Sequence, residues 1–300
     1  MNCMEGIVEL KNLAFLSEQS EETGAVGAIA YSHPGERFHG SLIQDFELLV
    51  LVVHNTDQLI SKVGHYKYGD LRYQMIYVSR HELQSSVITG DNNNIMQCLI
   101  EGEIIWEADN ALSDLREELS AFGTELREQK LLHEFASFLK MYVEAKRYIQ
   151  EGHVVDAYYN VLEALGNWAR IVLIEQGIYP DHAVWTHVQS LDRALWKLYQ
   201  ELTVSSETLE QRVELVLLAC EFSVMSKMSD CSGLLLRVLG SRREPWSMDE
   251  LVHHPQLRFV REDLPLILRK LVFRSIVKES AGWPSFIGGD GREIRYWIEA

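Results

Sequence analysis

The sequence predicts an α+β protein in three successive parts. These are a mixed α/β domain over residues 1–128, an antiparallel helical bundle over 129–240, and a small helix-and-hairpin domain over 241–300. Three observations carry that expectation. Short runs of branched and aromatic residues punctuate the first part, and apolar residues at steps of three and four run through the second. The last sixty residues change in both pattern and charge.

In the first part, Ile7, Val8, Leu10, Leu13 and Leu16 draw an opening helix. The apolar run Ala25–Tyr31 reads as a strand that ends at Ser32 and passes into a loop with Pro34, Gly35 and Gly40. Asp45-Phe46-Glu47 then opens the run Leu48–Val53. Side chains alternate along a strand, so this spacing sets both carboxylates side by side at its leading end. The uninterrupted apolar run behind them belongs in the middle of a sheet covered on both faces. Asn55-Thr56-Asp57-Gln58 starts a helix to about Val63, with Gly64 at its end. Leu71–Val78 alternates as a second aromatic and branched strand, and Gly90–Asn94 is a polar break. Ile95–Ile100 reads as helix, Glu101–Glu107 as an extended segment, and Asn110–Glu128 as one long helix.

Two carboxylates on a rigid strand suit Mg²⁺, which takes carboxylate oxygens together with substrate phosphates. On spacing alone the plainer reading is a buried strand that begins with two solvated acids. The order of strand, serine at a turn, polar loop and Asp-x-Glu strand resembles the nucleotidyltransferase fold. The signature of that fold is an apolar residue, Gly-Ser, about a dozen residues, then Asp-x-Asp or Asp-x-Glu. The resemblance implies that Ser32 and nearby backbone amides hold the β- and γ-phosphates of a nucleoside triphosphate, and that Asp45 and Glu47 are the metal-binding catalytic pair. Gly40-Ser41 stands too close to Asp45 for the family spacing. Two positions depart from the pattern. Tyr31 occupies the place of the signature glycine, where a side chain crowds the triphosphate. On the later strand, where a third carboxylate is expected, Gln74 stands instead and Asp70 only precedes it. An edge strand resembling Glu101–Glu107 also recurs late in small nucleotidyltransferase domains.

In the second part, Leu131, Phe135, Phe138, Tyr142, Ala145 and Ile149 form one apolar stripe, closed by Gly152. Further helices cover Val154–Gln176, Val184–Leu202 and Leu209–Lys227, the first stopped by Gly177 and Pro180. Long helices with short loops make an antiparallel bundle. Trp168, Trp185 and Trp196 either line a ligand groove or fill the core, and helical spacing favours core. His182 and His187 flank Trp185 at a spacing that suits caps or surface better than a metal pair.

The tail carries the cleanest local signals. Ser247-Met248-Asp249-Glu250 is a capping box, and Trp246 with Leu251 forms a hydrophobic staple around it. Asp263 is placed to cap a helix with Pro265 in its first turn. Ser275–Lys278 and Glu293–Ile298 alternate as two strands, with Gly288, Gly289 and Gly291 between them. Two helices followed by such a hairpin resemble a winged helix, with Arg269, Lys270, Arg274 and Lys278 as a mildly basic edge. The glycines fit a hairpin tip rather than a phosphate loop, because no Lys-Ser/Thr follows them.

Composition bounds the function. The 300 residues are 47% hydrophobic and 24% charged, enough for two or three ordinary globular domains. There is no apolar run of about eighteen residues to span a membrane, and the first residues show no export signal. Cys3, Cys98, Cys220 and Cys231 are widely spread with no C-x-x-C pair, the pattern of reduced thiols in a cytoplasmic protein. The net charge is −16, yet residues 240–300 carry ten Lys/Arg against nine Asp/Glu. A body so acidic repels phosphate backbones, which leaves the tail as the part able to touch DNA. Near-neutrality disfavours even that, and protein docking or dimerisation fits it better.

The order of parts is similar to a small bacterial family, the YgxA-like proteins. These join a nucleotidyltransferase-type domain, a helical substrate-binding-type domain and a winged-helix tail. The resemblance implies an enzyme that transfers a nucleoside monophosphate from a Mg²⁺-bound nucleoside triphosphate to a hydroxyl or amino acceptor, a small molecule or a protein side chain. The alternative is a non-catalytic nucleotide-binding regulator that acts through its helical and winged-helix parts, a reading that Tyr31 and Gln74 favour. A plainer third is an assembly protein in which Asp45 and Glu47 are a solvated strand end. Exposed aromatic surface on a three-part protein is compatible with a homodimer. No Gly-x-Ser-x-Gly elbow, phosphate-binding Gly-x-x-x-x-Gly-Lys-Ser/Thr loop or His-Glu-x-x-His helix is present.

Overall fold

The structure, a computed structural model, describes residues 24–32, 46, 48–56, 62–69, 71–180, 183–282 and 292–299. The chain divides into two compact units, Met1–Ala121 and Phe122–Ala300. The expected opening helix, Asp57, Asp70, His182 and the tail glycines lie outside the described residues.

In the first unit the described strands are β1 (Ala25–Ser32), β2 (Leu48–His54), β3 (Lys62–Tyr68), β4 (Leu71–Ser79) and β5 (Glu103–Glu107). They form a sheet of order β3-β4-β2-β1-β5. β2 is central, parallel to β4 and antiparallel to β1, and its apolar run is buried along nearly its whole length. One face gathers Ala28, Ala30, Leu48, Val50, Val52, Tyr73 and Met75 into a core. The other face carries Gly27 and Ile29, against which α2 (Asn93–Glu101) and α3 (Ala111–Ala121) pack. α1 (Arg80–Thr89) joins β4 to α2 and starts at a capping box, with Ser79 Oγ accepting from the Glu82 N–H and Glu82 accepting from the Ser79 N–H.

The expected helix up to Val63 is corrected. Lys62, Val63 and Gly64 lie in β3, which pairs antiparallel with β4, so the expected helix does not reach Val63; residues 57–61 lie outside the described residues. The expected strand over Glu101–Glu107 holds as edge strand β5, although Glu101 itself still belongs to α2.

The second unit is helical. α4 (Thr124–Gln150) and α5 (Val154–Glu175) form a long antiparallel hairpin around Phe135, Phe138, Leu139, Tyr142, Val161, Leu165 and Trp168. α6 (Val184–Leu191), α7 (Arg193–Val204) and α8 (Leu209–Ser226) pack on it. Two single helices of the sequence reading are each divided. Phe122, at φ 42°, takes the left-handed region and separates α3 from α4. Asp192 ends α6 and caps α7 by accepting from the N–H groups of Ala194 and Leu195.

Short helices α9 (Met228–Cys231) and α10 (Gly233–Gly240) lead into the tail. There β6 (Trp246–Ser247), β8 (Ile294–Trp297) and β7 (Lys278–Ala281) form an antiparallel sheet in that order, with α11 (Met248–Val252) and α12 (Leu264–Phe273) between β6 and β7. The capping box at Ser247 is present. Asp263 precedes α12 without capping it through its side chain, and its carboxylate lies 3.7 Å from Lys140 instead. β7 begins at Lys278, so Ser275–Val277 stand before the strand rather than in it. Ser275, at φ 59°, lies in the left-handed region. The core of this unit runs without a break from Leu132 to Val277.

Candidate functional site

β1 ends and β2 begins at the same end of the sheet, because the two strands pair antiparallel. Across that end the register aligns Tyr31, Leu49, Gln74 and His65 into one row, from β1 through β2 and β4 to β3. Cross-strand partners share a face, so these four side chains stand on the side that α2 and α3 cover further along. Gln74 Nε2 lies 3.2 Å from His65 Nε2 and donates to the ring. Phe46 packs its ring on His65, with centroids 4.4 Å apart. Tyr31 is buried, with the Glu101 carboxylate at the end of α2 acting on its phenol. Burial first, then Glu101, hold the Tyr31 phenol above its ordinary value.

Ser32 is the last residue of β1, exposed, and aligned with Leu48 and Tyr73 on the opposite face from Tyr31. Asp45 and Glu47 lie outside the described residues. β2 begins at Leu48, and Phe46, between the two acids, is not part of the strand. Its contact with His65 is one that strict alternation from Leu48 would not make. Gln74 occupies the middle of the row beside Leu49, the position from which a third acid would face the site. Among the described residues no group of three His, Cys, Asp or Glu could hold a metal ion. Gln74 offers only a neutral oxygen, which suits a divalent cation such as Mg²⁺ less well than a carboxylate.

The reading of the sequence missed His65 and the Tyr31–Glu101 pair. The signal for His65 was the aromatic and basic run Lys62–Tyr68, whose pairing with β4 is not a local property. Glu101 was visible as one of the two acids around Gly102, but nothing local joins it to Tyr31.

The floor of the site is held by backbone contacts. Gly102 ends α2 where a Cβ would come within 2.5 Å of Ile29 Cγ2 and 3.0 Å of the Ala30 carbonyl, so the turn packs directly on β1. Arg116 on α3 donates to the carbonyls of Leu99 and Gly102 at 2.8 Å each, satisfying the open end of α2. Glu107 accepts from the N–H groups of Leu112 and Ser113 at the start of α3 and from the Ser113 hydroxyl. Cys98 is buried, and that burial pushes its thiol up to about 12.

The helical unit holds a second concentration of polar groups. Lys130 and Glu134 are both buried, 3.7 Å apart, with Arg170 3.6 Å from Glu134 and Lys130 4.9 Å above the Tyr179 ring. Glu134 stands between two cations, and each of these contacts brings opposite charges together. Trp168 lies in the core. Trp185 and Trp196 are half-buried and stack with Tyr199, the Trp185–Tyr199 centroids 4.2 Å apart. Cys220 and Cys231 are buried free thiols, each pushed up to about 12 by burial. No described helix is long and apolar enough to cross a membrane.

The chain is similar to known proteins over most of its length. The Nucleotidyltransferase-like family model matches residues 10–127. The model of the YgxA-like substrate binding domain matches residues 128–227. The uncharacterized protein YgxA of Bacillus subtilis (strain 168) is 29% identical over 238 residues, covering 79% of this chain and 80% of that protein. The crystal structure of a nucleotidyltransferase-like protein from Exiguobacterium sibiricum 255-15 superposes with a TM-score of 0.85 at 27% identity, covering 97% of this chain and 100% of that one.

Proposed function

As a YgxA-like chain that joins a nucleotidyltransferase-like domain to a substrate-binding-type domain, this protein, we propose, transfers a nucleoside monophosphate from a nucleoside triphosphate to an acceptor. The observation that carries the proposal is the sheet end where β1 stops at Ser32 and β2 starts just after Asp-x-Glu, in a domain of this family. In the reaction an acceptor hydroxyl or amine attacks the α-phosphorus. The new bond forms as the α–β bridging oxygen leaves with pyrophosphate, and the acceptor proton passes to solvent. Asp45 and Glu47 would hold Mg²⁺, which would supply positive charge against the charge that develops on the phosphates. Ser32 and adjoining backbone amides would hold the outer phosphates. The acidic body suits an acceptor that is a small molecule or a protein side chain rather than a nucleic acid.

A second reading, a nucleotide-binding regulator without turnover, is favoured by two particulars. A buried tyrosine stands where the signature glycine is expected, and a glutamine that donates to His65 stands where the third acid is expected. The winged-helix reading of residues 241–300 also stands as a proposal. It is supported by the sheet order β6-β8-β7 with two helices between β6 and β7, and a protein-docking role suits its near-neutral charge.

Calorimetric titration of ATP, GTP, CTP and UTP with Mg²⁺ tests both readings, on wild type and on Asp45→Ala/Glu47→Ala. Binding by wild type that the double variant loses is the expected result. Turnover with any acceptor then separates enzyme from regulator. If no nucleotide binds, both readings fail.

A further inference from the structure

Two cations stand directly opposite each other at one end of the sheet in the unit Met1–Ala121. Lys67 on β3 pairs with Arg72 on β4, just inside the hairpin turn that contains Gly69 at φ 60°. Directly opposed residues share a face, with Cβ atoms roughly 5 Å apart. That face is the one carrying His65 and Gln74, which form the next row along the same two strands. Leu48, the first residue of β2, aligns with Tyr73. Arg72 and Lys67 therefore reach one step beyond it, at the end of the sheet where β1 stops, on the face opposite Ser32.

Like charges opposed in this way repel, and strand pairs disfavour them. The chain has 44 Asp and Glu against 28 Lys and Arg, so composition alone would sooner set an acid beside each cation. Both side chains are exposed, and among the described residues neither has an ion-pair or hydrogen-bond partner. Glu101, which acts on Tyr31 at the β1 end of the row, is two strands away from Arg72. Asp45, Glu47 and Asp70 lie outside the described residues. A charge on an edge strand guards it against pairing with another sheet, and Lys67 alone would serve that purpose. Arg72 does not, because β4 is paired on both sides, to β3 and to β2. A phosphate group between the two cations removes their repulsion and gains charge-assisted contacts from the planar fork of Arg72 and the ammonium of Lys67. We infer that Lys67 and Arg72 form an oxyanion site that takes a phosphate group of a phosphorylated small ligand. The inference rests on the nucleotidyl-transfer reading for the source of that phosphate, either the tail of the nucleoside triphosphate or a phosphate carried by the acceptor.

Calorimetric titration of the full chain with inorganic tripolyphosphate tests the site on wild type, Lys67→Gln/Arg72→Gln and Lys67→Glu. Divalent metal is left out, so that a metal held by Asp45 and Glu47 takes no part. Wild type is expected to bind, and the double variant to bind at least tenfold more weakly. Lys67→Glu sets an acid opposite Arg72, so it is expected to lose binding while its thermal midpoint rises. No binding by wild type, or equal binding by the folded double variant, overturns the inference. A Lys67→Glu protein that loses binding but melts below wild type also overturns it, and makes the pair a support of the fold. Mg²⁺–ATP then separates the sources. Tripolyphosphate that ATP displaces assigns the site to the nucleotide tail, and tripolyphosphate that binds alongside ATP assigns it to the acceptor. If Mg²⁺–ATP does not bind while tripolyphosphate still requires the pair, nucleotidyl transfer fails and the oxyanion site stands.

Discussion

At Tyr31 a phenol stands where the sequence reading expects the signature glycine, and it is buried with the Glu101 carboxylate acting on it. If a nucleoside triphosphate passes this residue, moving the phenol aside costs that burial. Gln74 poses a sharper question, because an acid in its place needs only one atom changed. Gln74→Glu adds a carboxylate at the centre of the row beside Leu49, next to His65. If this row faces the metal–nucleotide site, the variant binds Mg²⁺–nucleoside triphosphate more tightly than wild type, by roughly tenfold for one well-placed charge. Parallel calorimetric titrations of the two proteins measure it. Equal affinities would remove Gln74 from the site.

Among the elements, the ends of helices explain most of what periodicity left open. A stripe at steps of three and four continues across a break when both halves face one core, so Val184–Leu202 reads as one helix although Asp192 divides it. Glu107 shows how an end is held. Burial pushes its carboxyl up, but hydrogen bonds from Ser113 and Leu112, and the Arg116 charge, outweigh this and leave it below its ordinary value of 4.5. A carboxyl held lower in the folded state adds stability above its unfolded value and loses it as pH falls towards the folded one. Glu107→Gln should therefore cost the unit Met1–Ala121 about 1 kcal/mol at neutral pH. The difference from wild type should shrink below pH 4.5. Urea unfolding at the two pH values measures it, and a cost that does not change with pH would show that the carboxylate charge contributes nothing there.

Over the whole molecule, charge and core divide the chain differently. Charge sets the last sixty residues apart from an acidic body, as the sequence shows. The core does not make that cut, because α12 and the turn at Pro255–Val260 pack on α4, and buried residues run from Leu132 to Val277. Ending the chain after Gly240 would expose the α4 surface that Leu257, Val260, Ile267 and Leu268 now cover. Each such side chain is worth roughly 1.5–3 kcal/mol of burial, a loss comparable to the stability of an ordinary domain. The truncated protein is expected to lose cooperative unfolding of its helices and to bind a hydrophobic dye. A truncated chain that melts in one sharp transition at the wild-type temperature would show that the tail folds apart from the bundle.

The sequence by itself determined the elements whose cause is local. β1, β2 and β4 follow from branched and aromatic runs, α4, α5 and α8 from the 3.6-residue period, and the start of α11 from the Ser247–Glu250 box. By their spacing along the chain it offered Asp45, Glu47 and Ser32 as candidates. Tertiary structure alone decided that Lys62–Tyr68 is a strand, that Tyr31 meets Glu101, and that His65 meets Gln74. The physical reason is the same in each case. A strand gains most of its stability from the neighbour it pairs with, and a buried polar group from the partner that satisfies it. Both partners come from elsewhere in the chain, and only the folded register brings them within reach.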